Sequence, residues 1–153
     1  MTPIPGTILA FDPGETTGWA CLRQGKVAGG SFSLWSEVER LVDRARPDVV
    51  VVEDFLLYPN KMRQLKWNRL RTIRVIGVIE FVCQKRDIPC IFQLAKERLS
   101  IEVKEVRGFN IHATQALRHA ILYASRSGDT AYNSLQTRRT PKNSYRRDDG
   151  LEQ

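Results

Sequence analysis

The chain has 153 residues and a mass of 17.5 kDa, about one ordinary domain, which excludes a large two-lobed enzyme. Hydrophobic residues make up 42%, enough for a packed core, so wholesale disorder is excluded as well. Lys and Arg total 24 against 17 Asp and Glu, a net charge of +7, and that excess points to a polyanionic partner, nucleic acid before an acidic membrane surface.

Thr7 to Asp12 is a short apolar run stopped by Pro13-Gly14, and it predicts a first strand. Gly18 to Arg23 and Lys26 to Ser33 predict two more, joined by a hairpin turn at Gln24-Gly25. From Leu34 to Arg46 apolar residues recur at 34, 35, 38, 41, 42 and 45, a helical stripe that ends before Pro47. Val49-Val50-Val51-Val52 is an unbroken β-branched run, the pattern of a strand covered on both faces. A second amphipathic helix is expected from about Arg69 to Arg86, a strand over Cys90–Leu94, and a last helix over Ile111–Ser125 with Asn110 as its N-cap. Three strands in meander followed by alternating helices and strands describe a mixed sheet with helices packed on it.

Residues 126–153 lack apolar periodicity and carry six basic side chains; they are expected to form a polar, flexible extension to a domain spanning 1–125. No apolar run approaches the roughly 18 residues of a spanning helix, and the N-terminus lacks a basic region followed by an apolar core. The expectation is a soluble cytoplasmic chain that neither enters a membrane nor is secreted. Cys21, Cys83 and Cys90 lie in apolar segments without CxxC spacing, which predicts free thiols rather than a zinc or disulfide site.

Two of the predicted strands finish on carboxylates, Asp12 and Glu53. If those strands are parallel neighbours, the two side chains leave the same edge of the sheet roughly 5 Å apart. Carboxylates that close repel unless a proton or a cation lies between them, and hard oxygen ligands suit Mg²⁺ or Mn²⁺ when a phosphate completes the shell. Taken singly, Asp12 reads as equally suited to opening a turn and Glu53 to ending a strand. After Glu53 come Lys61, Arg63, Lys66, Arg69, Arg71 and Arg74 with no acid between Asp54 and Glu80. With Tyr58 and Trp67 among them, these cations combine phosphate neutralisation with surfaces on which unpaired bases stack. On the last helix, Ala113, Leu117, Ala120, Ile121 and Ala124 form a core stripe, while His112, Gln115 and His119 fall on another face. His119, a turn beyond Gln115, is expected to hydrogen-bond locally.

DPGETTGWA at 12–20, VVVVED at 49–54, VIGVIEF at 75–81 and HATQALRHA at 112–120 occur in that order. The set resembles the RuvC family of Holliday-junction resolvases, within the RNase H-like superfamily, over about residues 7 to 125. The resemblance implies an α/β fold with a five-stranded mixed sheet, three antiparallel strands followed by parallel ones, and helices on both faces. It implies two divalent ions, Mg²⁺ or Mn²⁺, held by the positions of Asp12, Glu53, His112 and Gln115, and no organic cofactor. It further implies a homodimer, with the Arg69–Arg86 helix and its Ile73, Ile76, Gly77 and Glu80 as the contact, cutting branched DNA at four-way junctions. An aromatic shortly after the Glu is expected to enter the junction, which Phe55 and Tyr58 approach, and Lys96, Arg98, Lys104 and Arg107 are placed to meet phosphates.

Gln115 departs from the family, which carries an acid there. Its amide oxygen is neutral and a weaker ligand, so the second ion is expected to suffer most. Three functions therefore stand on the sequence: a metal-dependent junction endonuclease, a junction-binding protein with weak or no cleavage, and an RNA-processing relative of the same superfamily.

Overall fold

The computed structural model describes residues 3–56 and 67–137. Strands β1 (Thr7–Asp12), β2 (Thr17–Arg23), β3 (Lys26–Phe32), β4 (Val49–Asp54) and β5 (Cys90–Leu94) alternate from β3 onward with helices α1 (Ser36–Ala45), α2 (Trp67–Lys85) and α3 (Ile111–Arg126). The sheet runs in the order β3-β2-β1-β4-β5. Its first three strands are antiparallel, and β4 joins both β1 and β5 in parallel. This is the expected α/β, RNase H-like arrangement, with boundaries within two residues of those read from the sequence.

Local chemistry explains the turns. Gln24 and Gly25 both take positive φ, 50° and 74°, the left-handed pair that a tight hairpin between right-twisted strands requires. Arg46 is left-handed and its N–H donates to the Val42 carbonyl, so α1 stops two residues before Pro47. The Thr7 N–H donates to the Asp48 carboxylate over 2.8 Å, tying the start of β1 to the start of β4.

Period-two alternation divides the central strands between two cores. Ile8 and Ala10 of β1 with Val49 and Val51 of β4 face α3, while Leu9, Phe11, Val50 and Val52 face α1 and α2. The α3 contact is built from small residues: Ala116, Ala120 and Ala124 lie against a sheet face that includes Ala10 and Ala20, which lets the helix axis come close to the strands. On the opposite side Ile76 joins the α2 core, while Ile73, Gly77 and Glu80 of the same helix are exposed.

Packed structure continues past residue 125. Tyr132 is buried in the α3-side core and its hydroxyl accepts from the Gly25 N–H, and Val103 pairs with Gln136. One aromatic anchor with backbone pairing beside it holds a polar segment that has no periodicity of its own. Residues 138–153 of the expected extension lie outside the described residues. Cys21, Cys83 and Cys90 are free, and no described helix is long and apolar enough to cross a membrane.

Candidate active site

The strand parity that builds the α3-side core also aims the acids. Asp12 follows Ile8 and Ala10, and Glu53 follows Val49 and Val51, so both carboxylates project from the carboxyl ends of parallel neighbours on the face that α3 covers. The two charges act on one another. Burial and, second, the Glu53 charge push the Asp12 carboxyl up to about 7, against a smaller opposing pull from Arg98. Burial works on Glu53 in the same direction but is outweighed there, because bonds from His119 and Arg98 hold it below the usual carboxylate range.

Three elements converge on Glu53. His119 of α3, fully buried, places Nε2 2.8 Å from Glu53 Oε2 and Nδ1 2.7 Å from Gln93 Oε1. Gln93 is the β5 register partner of Glu53 and is itself buried. The amide nitrogen of Gln93 has no partner among the described residues, so turning the amide over would let that nitrogen donate to Nδ1. In that turned orientation a neutral imidazole donates from Nε2 to Glu53, whereas with Oε1 facing Nδ1 both ring nitrogens would have to donate, which takes an imidazolium. His119 therefore bonds 66 residues away rather than locally, which corrects the expectation from its helical position. The reason is that α3 lies so close to the sheet that the flank of its core stripe, too, is covered.

Arg98 is the third. It stands in a 3-10 turn, Glu97–Ser100, between β5 and α3, and bridges two candidate ligands. Its Nη1 donates to Glu53 Oε2 over 2.6 Å and its Nε to Gln115 Oε1 over 2.9 Å. Arg118 reaches the same Gln115 oxygen at 3.4 Å. The sequence placed Arg98 only among cations before the last helix, and Gln93 drew no notice. The one signal available for Gln93 was a polar side chain on the same strand row as Glu53.

His112 lines a cleft of about 470 Å³ with Asp12, the Pro13-Gly14 turn, Arg69 and Thr72. A second cleft of about 310 Å³ is lined by Glu53, Phe55, Arg69 and Lys96, among others. Arg69 borders both, its guanidinium carbon 5.8 Å from the Phe55 ring centroid, a cation–π distance. Lys104 and Arg107 are exposed and line neither cleft. Tyr58, Lys61, Arg63, Lys66 and the side chain of Trp67 lie outside the described residues.

The donor set fits one hard cation. Mg²⁺ is commonly held by one or two carboxylates while waters and a substrate phosphate complete its shell, and Asp12 with Glu53 supplies that pair. The four-ligand, two-ion set does not fit. Among the described residues no three His, Cys, Asp or Glu side chains are grouped to hold a metal, and Gln115 already faces guanidinium.

No protein-family model matches the chain, and no curated protein matches it in sequence. Solved structures do. A structure described as T. thermophilus RuvC in complex with Holliday junction substrate has a TM-score of 0.64 at 14% identity, covering 80% of this chain and 96% of that one. A Thermus thermophilus RuvC structure has a TM-score of 0.61, also at 14% identity, with coverage of 80% and 97%. The architecture is thus the RNase H-like α/β class. Within it, the fold of this chain is RuvC-like.

Proposed function

We propose that the chain is a structure-selective endonuclease for branched DNA, hydrolysing a phosphodiester at the Asp12–Glu53 pair with Mg²⁺ or Mn²⁺. The observation that carries this reading is the pair itself: two half-buried carboxylates at the ends of neighbouring parallel strands, opening on clefts edged by Arg69, Lys96 and His112. An ion held by Asp12 and Glu53 would supply positive charge against the nonbridging phosphate oxygens.

The chain's own residues do the rest. His119, buttressed by Gln93, fixes the rotamer of Glu53, and Arg98 holds the same carboxylate from the solvent side. Arg69 and Lys96 take flanking phosphates, and Phe55 offers a ring for an unpaired base. Hydrolysis adds water across the P–O3′ bond, so that the water oxygen becomes part of a 5′-phosphate and the 3′-oxygen leaves as a hydroxyl. Leu70, Ile73, Gly77 and Phe81 form an exposed apolar row on α2, which supports pairing of two copies so that two strands of a junction are cut.

A second reading is favoured by the guanidiniums on Gln115: a junction-binding protein that cuts slowly or not at all. Incubation with a synthetic four-way junction, a matched duplex and a matched RNA in Mg²⁺ or Mn²⁺ decides among the readings. Nicks in the junction that vanish with Asp12→Asn or Glu53→Gln support the endonuclease. Retarded junction with no nicks selects the binding protein, and preferential RNA cleavage overturns both.

A further inference from the structure

We infer that Arg98 stands in the place of a second divalent ion, making this a one-ion site with a built-in guanidinium cation. The inference deepens the proposed endonuclease reading and rests on it. Arg98 and Arg118 can only donate, so the Gln115 amide must present Oε1 to them and is spent before any ion arrives. Through its Nε and Nη1 the planar Arg98 head joins Gln115 to Glu53. That is the span a second ion between those two positions would have to occupy.

The residue types are matched to this arrangement. A carboxylate at 115 would add a second negative charge beside Glu53, whereas the neutral amide leaves Glu53 as the carboxylate that Arg98 pairs with. The side chain of Arg98 keeps 20% of its surface exposed, and its Nη2 has no hydrogen-bond partner among the described residues. That N–H group is offered to a phosphate oxygen of a strand lying across Glu53, a contact suited to arginine's fork. Arg98 is held in place from behind, since its neighbour Glu97 pairs with Arg126 at the end of α3 over 3.0 Å.

Mn²⁺ stoichiometry, read by the electron paramagnetic resonance of the free ion and by calorimetry, tests the proposal independently of activity. Wild type and Arg98→Lys are expected to bind one ion per chain, and Arg98→Ala combined with Gln115→Glu to bind two. Two ions in wild type overturn the proposal. So does a single ion in the double variant when its circular dichroism and melting show it folded; if it does not fold, wild type and Arg98→Lys decide. Junction cleavage is expected to fall about 100-fold in Arg98→Ala, and cleavage at the wild-type rate in that variant also overturns the role. One bound ion without cleavage in any variant would remove the endonuclease reading while supporting the one-ion site, so the two failures are distinguishable.

Discussion

The carbonyl of His112 rests against the α-carbon of Gly18: a Cβ built on Gly18 would lie under 3.0 Å from both the oxygen and the carbon of that carbonyl. Gly18 is the β2 register partner of Asp12, so the first turn of α3 is seated directly beside the strand pair that carries the acids. The absence of one side chain sets how deeply α3 docks, and with it the positions of His112, Gln115 and His119. Gly18→Ala is expected to cost about 3 kcal/mol or more, because backbone rather than a flexible side chain must move. Urea unfolding measures the loss, and a stability within 0.5 kcal/mol of wild type, the range of a neutral surface change, would contradict this account of docking.

Removing the buried histidine strands one buried amide. His119→Ala leaves the buried Gln93 amide without its bond, takes one of two bonds from Glu53 Oε2, which keeps Arg98, and opens a cavity, at an expected cost of about 3 kcal/mol. His119→Gln restores a donor toward Glu53 and is expected to recover part of that. Denaturant midpoints for the two variants test the order; equal midpoints would mean the loss is one of packing alone.

Asp12 gives a stability that falls as pH rises. Its folded value of about 7 lies above the ordinary carboxylate value of 3.8, so between those limits the folded chain holds a proton that the unfolded chain has released. Stability from this group is full below about pH 4 and is lost as pH climbs to about 7, by up to about 4 kcal/mol. Glu53, held below its ordinary value, acts oppositely and only on the acid side. Asp12→Asn is therefore expected to flatten the stability profile from pH 4 to 7. An unchanged slope in that variant would assign it to another group.

A cation that neutralises the pair should reverse the penalty where Asp12 is ionised. Millimolar Mg²⁺ is expected to raise the melting temperature at pH 8 by a few degrees and to have little effect at pH 5, where the proton competes. Equal shifts at both values, or the same shift in Asp12→Asn, would place the ion elsewhere.

Arg69 and Lys96 border the clefts beside the acids. Each alanine variant is expected to weaken junction binding several-fold at 100 mM salt and to lower the slope of log affinity against log salt by about 1, the signature of one lost phosphate contact. Fluorescence anisotropy across a salt series measures this. Weaker binding at an unchanged slope would show a contact to bases rather than to phosphates.

The sequence by itself determined the strands and their turns and, given β1 and β4 as parallel neighbours, the convergence of Asp12 with Glu53. A run such as Val49–Val52 has one good conformation, and side-chain direction along a strand follows from counting residues. Parity alone puts both acids on the face of Ala10 and Val51. Asn110 as the N-cap of α3 was equally legible, since its side chain accepts the Ala113 N–H over 2.9 Å, a bond confined to four consecutive residues.

Only the tertiary structure decided what surrounds the pair. Arg98 sits in a short turn without periodicity, and nothing local aims its guanidinium at a glutamate 45 positions earlier. His119 lies beside the core stripe of α3, and whether that flank meets water or Gln93 depends on how closely the helix approaches β5. Periodicity fixes directions within one element, whereas contacts across elements need the angle and depth of docking. Those are set by the summed packing of small residues such as Gly18, Ala20 and Ala120 rather than by any single stretch of chain.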